Sequence, residues 1–213
     1  MLFSGLDMND LLFRAIAFLI AITVHEFAHG FVAYKFGDPT PQKDGRLTLN
    51  PMAHLDVLGT IMILFAPFGW ARPVRFNPNN FRGNKRVGKI LTTLAGPVSN
   101  LLVAIFFAIL FSLYIKTGVT DEAWNSFAVR LVNEVVWLNV ILFIFNLLPI
   151  PPLDGYWIVR DLLPLNTAYR LSAIERFGPF ILLLAIVLGV TSFVLLPLAD
   201  LVLQGIVNLV GLG

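Results

Sequence analysis

An apolar run from Leu11 to about Tyr34, broken only by Arg14, Thr23 and the motif itself, carries the sequence Val24-His25-Glu26-Phe27-Ala28-His29-Gly30 near its second end. About twenty consecutive apolar residues make a helix long enough to cross the hydrocarbon of a bilayer, where only structures that bond all their backbone groups internally survive. Ionisable groups inside such a span cost roughly 2.5–3.5 kcal/mol each on insertion scales, so they tend to face a protein interior and mark function. Residues four apart share one face of a helix, which lets both imidazoles converge on one ion with Glu26 beside it. Zinc (Zn2+) suits that set, since it takes neutral imidazole and, with three protein ligands, keeps a fourth position for water. Glu26 is then the candidate general base. The competing reading is a hydrogen-bonded polar cluster between helices with no metal.

Composition agrees with the membrane reading. The chain is 57% hydrophobic and 13% charged, with a mean hydropathy of +0.81, far from the makeup of a soluble domain. It contains no cysteine, which excludes disulfides, thiolate catalysis and cysteine-held zinc or iron–sulfur sites. His, Asp and Glu remain as metal ligands. The fold class expected is an all-α polytopic membrane protein, residues 1–213 forming one membrane domain. Asp7 and Asp10 stand where a cleaved signal peptide would carry basic residues, so the first span is expected to stay in the mature protein.

After the first span, residues 37–50 hold turn chemistry in Asp38-Pro39-Thr40-Pro41 and Asp44-Gly45, and Arg46-Leu47-Thr48-Leu49 alternates like a short strand. The apolar stretch 55–70 is short for a span and reads as a re-entrant or interfacial hairpin, with 72–78 a second short strand. A small β or re-entrant segment is thus expected at about 45–80. Further spans are expected at about 87–115, 127–148 and 177–196, with an interfacial segment at 156–176 and, after Pro197, a last apolar piece that either continues the helix with a kink or lies in the interface. Nine of the Lys and Arg residues fall in 35–89 and three in 156–177, against Arg14, Lys116 and Arg130 on the other side. The positive-inside rule then places the N-terminus outside the cell membrane and His25, His29 and Asp154 toward the cytoplasmic side. Nothing in this charge pattern calls for nucleic acid.

A zinc site needs a third ligand. No histidine lies six residues beyond His29; Glu122 and Glu134 sit toward the outer side and Glu175 in a basic interfacial segment. Asp154 is the best carboxylate, because Pro149, Pro151 and Pro152 must unwind the helix before it, and irregular backbone at membrane depth is tolerated only where it is buried or lines a cavity.

These residues resemble the site-2 protease group of intramembrane metalloproteases. The resemblance rests on His25-Glu26-Phe27-Ala28-His29 in a span, Asn146-x-x-Pro149-x-Pro151-x-Leu153-Asp154-Gly155 downstream, and Gly96-Pro97-x-x-Asn100 between them. Gly45-Arg46-Leu47-Thr48-Leu49-Asn50-Pro51 and the region from Ala53 to Thr60 look like the compact prokaryotic members without a PDZ domain. The similarity covers roughly residues 10–160, a three-helix catalytic core. It implies zinc held by His25, His29 and Asp154, Glu26 as base, and hydrolysis of a peptide bond within or beside a transmembrane helix of a membrane-protein substrate. It also implies that the segment matching 45–80 pairs with an unwound substrate. Some relatives carry a helix before the first catalytic span, and none is expected here.

Several residues keep two readings. Asn146 is the candidate amide for a developing oxyanion, or it fixes the helix break by an interhelical hydrogen bond. Gly96 and Pro97 serve packing or shape a substrate cleft, with Asn100 the residue there most suited to do more. His54 is an extra ligand or gate, or a loop histidine satisfied by backbone. For the whole chain, the rivals to a protease are a non-catalytic protein of the same fold that captures transmembrane helices, which would have no need of Glu26, and a metal transporter, which would need polar groups spread along a pathway rather than at one depth. Oligomeric state is open.

Overall fold

The computed structural model describes residues 8–59, 62, 71–118 and 122–211. Among them the regular structure is helical. Helix α1 (Met8–Lys35) is followed by the short α2 (Thr40–Lys43), then by α3 (Lys85–Lys116), α4 (Glu122–Leu147), α5 (Asp154–Leu162), α6 (Leu165–Glu175), α7 (Gly178–Val187) and α8 (Val190–Leu209). Three segments, Leu11–Lys35, Lys85–Lys116 and Ser126–Leu147, are long and apolar enough to cross a membrane. The chain is an all-α polytopic membrane protein.

Helices α1, α3 and α4 pack on one another pairwise and form the centre of the molecule. The sequence of α3 explains the close fit. Gly88, Thr92, Gly96, Asn100, Ala104, Ala108 and Ser112 recur at every fourth position and all are buried. In lipid, apolar burial gives helices little reason to associate, so small residues that let backbones approach, and polar side chains that bond across, do that work. Asn84 opens α3 as its N-cap, accepting from the backbone N–H groups of Arg86 and Val87.

Beyond α1 the chain turns at Gly37, whose φ of 101° suits glycine alone. Asp38 then ties this turn to a distant segment. Its carboxylate accepts from Thr40 N at 3.1 Å and Thr40 Oγ1 at 2.7 Å, from Asn77 N at 2.6 Å and from Asn80 Nδ2 at 2.7 Å. Burial alone would raise the pKa of this carboxyl, but the bonds from Asn80, Asn77 and Thr40 hold it below its ordinary value.

The expected strands at 46–49 and 72–78 do not form. Among the described residues the only β pairing is an isolated antiparallel bridge between Leu55 and Ala71. In place of a ladder, the Arg46 guanidinium donates to the carbonyl of Ala53 and, at 3.5 Å, to that of Arg72, and a single backbone bond runs from Arg72 N to His54 O at 2.9 Å. Most of the hairpin expected at 55–70 lies outside the described residues.

The C-terminal expectation also changes. The span predicted for 177–196 is broken at Gly189, which takes the left-handed conformation with φ 71° and caps α8, while Pro197 sits inside α8 rather than ending a helix. Glycine enters that backbone region without the Cβ clash that stops other residues, so the break falls there. Leu195, Ala199 and Ile206 of α8 then join Ala104 and Ala108 of α3 and Val140 and Ile144 of α4 in one buried cluster.

Candidate metal centre

Helix α1 packs against α3, and its two histidines face that contact. His25, Glu26 and His29 are all buried there. The Nδ1–H of His29 donates to the carbonyl oxygen of Thr92 at 2.8 Å. That of His25 donates to Oδ1 of Asn100 at 2.7 Å. The amide of Asn100 is oriented by its other end, since Nδ2 donates to Ala21 O at 3.0 Å and to Asn139 Oδ1 at 2.9 Å. Asn139 in turn gives its Nδ2–H to Val135 O at 2.8 Å. The network thus assigns the proton of each neutral imidazole to Nδ1 and turns both Nε2 lone pairs inward.

Asp154 meets them from the far side. It is the first residue of α5, delivered by the Pro149–Leu153 turn that ends α4, and the turn is tight because a Cβ on Gly155 would stand 2.6 Å from Leu148 O. Its Oδ2 lies 3.3 Å from Nε2 of His25 and 3.3 Å from Nε2 of His29, which are 3.0 Å from each other. Three electron-rich atoms therefore converge with no proton between them, and Asp154 Oδ2 is buried without a hydrogen-bond partner among the described residues. A cation resolves that conflict. Ligand atoms of a tetrahedral zinc with bonds of about 2.0–2.1 Å stand about 3.3–3.4 Å apart, so the triangle fits zinc with little adjustment. His25, His29 and Asp154 are the three residues among those described that could hold a metal ion in this way.

Glu26 is fixed separately. Its Oε2 accepts the backbone N–H of Val74 at 2.7 Å, so the carboxylate is oriented by the extended segment that Asp38 anchors a few residues later. Gly96 of α3 lies against both imidazoles: a Cβ there would collide with Nε2 of His29 and stand 2.7 Å from Cε1 of His25. Packing of the imidazoles is what this glycine serves. Pro97 is buried beside it within α3.

Two further expected site residues have hydrogen bonds of their own. Asn146 donates its Nδ2–H to Leu142 O, one turn back in its own helix, at 3.0 Å. His54 is fully buried; its Nε2–H goes to Thr48 O at 2.9 Å, while its Nδ1 is buried without a partner among the described residues. Sequence reasoning missed Asn139, Val74 and the Thr92 carbonyl. Asn139, a polar residue in a predicted span, was the one legible signal; a backbone N–H or C=O leaves none.

The sequence profile of peptidase family M50 matches residues 13–127 and 112–189. The chain belongs to peptidase family M50, the family of the site-2 proteases. Among curated relatives, "Putative zinc metalloprotease YwhC" of Bacillus subtilis is 44% identical over 191 residues, which cover 88% of this chain and 86% of that one. "Putative zinc metalloprotease Rip2" of Mycolicibacterium smegmatis is 27% identical over 79% of this chain. The protein of the same name from Mycobacterium tuberculosis is 30% identical over 78%. This M50 chain spans 64% and 62% of the lengths of those two Rip2 proteins, less than two thirds. No solved structure matches it.

Proposed function

We propose that this M50 chain is a zinc metalloendopeptidase that hydrolyses peptide bonds in or next to transmembrane helices of membrane-protein substrates. The observation that carries the reading is the convergence of His25 Nε2, His29 Nε2 and Asp154 Oδ2 within 3.3 Å of one another, the two histidines on a helix apolar enough to span a bilayer. His25, His29 and Asp154 would hold the zinc. When bound, zinc supplies Lewis acidity and acidifies water to near neutral pH.

The chain's own residues do the rest. Asn100 and the Thr92 carbonyl hold the imidazoles in the tautomer that leaves Nε2 free. Glu26, oriented by Val74 N–H, is positioned to take a proton from water and return it to the departing amine. A non-catalytic role would leave that ordered, buried carboxylate without a task. The site is proposed to face the cytoplasmic side of the cell membrane, with the N-terminus outside, on the strength of the nine cationic residues between 35 and 89.

The test is cleavage of a purified single-span reporter protein co-reconstituted in vesicles. Wild type should release products cut within or beside the span, chelation should stop it and added zinc restore it, while Glu26→Gln keeps its zinc and loses cleavage. Equal cleavage by Glu26→Gln, or none by zinc-loaded wild type against a panel of spans that includes helix-breaking residues, would overturn the assignment.

A further inference from the structure

Helix α8 carries Asp200, Gln204 and Asn208 at every fourth position of the apolar stretch Phe193–Leu209, and all three are exposed. Their arc of the helix points away from Leu195, Ala199 and Ile206, the residues that pack into the cluster with α3 and α4. Because α8 lies along two helices apolar enough to span, with Ser112 of α3 donating to the Val210 carbonyl at 2.8 Å, this outer face would stand at the depth of the spans in a bilayer. Lipid offers an amide or carboxyl no partner there. Polar side chains at that depth are expensive unless another protein surface satisfies them.

A second observation points to the same face. Gly205 flanks the stripe, and a Cβ there would meet nothing within 4 Å. Glycine is the costliest residue in a helix interior after proline, and no contact within the described chain calls for it. A second helix lying close would.

We propose that this face of α8 is a dimer interface, occupied by α8 of a second copy of the chain. The stripe is complementary to itself. Copies inserted in one orientation are related by a two-fold axis along the membrane normal, so their α8 helices run parallel and each residue meets its equivalent. Gln204 and Asn208 each offer a donor and an acceptor, so like meets like with both satisfied. Asp200 accepts from the amide of Gln204 in the other copy, one turn away. Residues four apart form the ridge along which helices cross right-handedly when a small residue allows close approach, and Gly205 supplies it. A shallow groove lined by Asp200, Leu203, Gln204, Val207 and Asn208 receives the other helix. The proposal rests on packing alone and is independent of the zinc chemistry.

The chain has no cysteine, so an introduced one is unique. Val207→Cys places a thiol at the edge of the stripe, and Phe106→Cys places one on the exposed face of α3. Full-length protein is reconstituted in phosphatidylcholine vesicles at high dilution in lipid, and disulfide-linked dimer is measured alongside energy transfer between labelled copies. Cross-linking should be efficient at 207 and marginal at 106. Asp200→Leu, Gln204→Leu and Asn208→Leu combined should lower the dimer fraction as expected for at least about a tenfold weaker association, because interhelical polar contacts are what it removes. These substitutions make the helix more apolar, and an unchanged thermal midpoint of the variant at high dilution confirms that the fold is kept. A chain that stays monomeric at every dilution, a dimer unaffected by the triple substitution, or cross-linking favoured at 106 would each overturn the proposal.

Discussion

The backbone of Gly96 and the imidazole of His29 occupy adjoining space with no room for a methyl group between them. Helix α3 is thereby the wall against which α1 presents its ligands. On propensity alone Gly96→Ala would favour the helix by about 1 kcal/mol. The collision opposes it, since forcing a methyl into a packed site costs about 1–3 kcal/mol and is relieved here only by displacing an imidazole or parting α1 from α3. We expect Gly96→Ala to lose most of its zinc and all measurable cleavage while its helical circular dichroism is unchanged. Elemental analysis of detergent-purified protein reads the first, and full zinc retention would show that the two helices separate freely.

Asn100 joins three helices, taking His25 Nδ1–H and giving its own protons to Ala21 O and Asn139 Oδ1. Groups that fix the tautomer of a metal-binding imidazole are typically worth 10–100-fold in metal affinity. Asn100→Ala is expected to weaken zinc binding by about that range in competition with a chromophoric chelator. Asn139→Ala should cost less, because Ala21 O still orients the Asn100 amide. Equal effects of the two would mean that helix packing, not imidazole orientation, is what Asn100 supplies.

How much of this was legible beforehand follows from which atoms carry the information. His25, Glu26 and His29 announce themselves because side chains of that kind four apart in an apolar run have few other uses. Asp154 was found from the prolines before it, and the structure brings it to the histidines. The stripe from Gly88 to Ser112 was readable as a period of four, yet of its members only Gly96 and Asn100 stood out, because small residues in an apolar helix hardly alter its hydropathy. The strand expectations at 46–49 and 72–78 failed for a different reason. Alternation of apolar and polar residues describes a chain ready to pair, but the N–H of Val74 is taken by Glu26 rather than by a neighbouring strand. Of the two readings left open at Pro197, the continuing helix is the one found, while the break at Gly189 gave no signal: a proline inside a helix loses one bond, whereas a left-handed glycine redirects the chain.

Removing the third ligand gives the clearest separation of binding from chemistry. Asp154→Ala leaves two imidazoles without the carboxylate that closes the triangle, so zinc per chain should fall from about one to well below half. Glu26→Gln should retain about one zinc, since Glu26 is outside the convergent set. Asp154→Asn should fall between, keeping an oxygen donor without the charge. Full zinc in Asp154→Ala would mean that another carboxylate or His54 completes the site.

Asp38 ties the acid stability of the fold to the orientation of the general base. Its carboxylate accepts four hydrogen bonds and its pKa is held below the ordinary 3.8, so the folded state binds its proton less readily than the unfolded state does. The stability it contributes is therefore complete above about pH 5 and is lost as pH falls through 3.8 toward the lower folded value. Asp38→Ala strands the Asn77 N–H, the Asn80 amide and both Thr40 donors, a loss of about 2–4 kcal/mol for buried bonds to a charged group. Thermal unfolding in detergent should show wild type clearly above the variant at pH 7, with the gap narrowing steadily below about pH 4. Because Asn77 follows Val74 by three residues, the same variant should also free the Glu26 carboxylate and lower the cleavage rate at pH 7 with zinc content unchanged. A gap independent of pH would show that the Asp38 carboxylate titrates alike in the folded and unfolded chain.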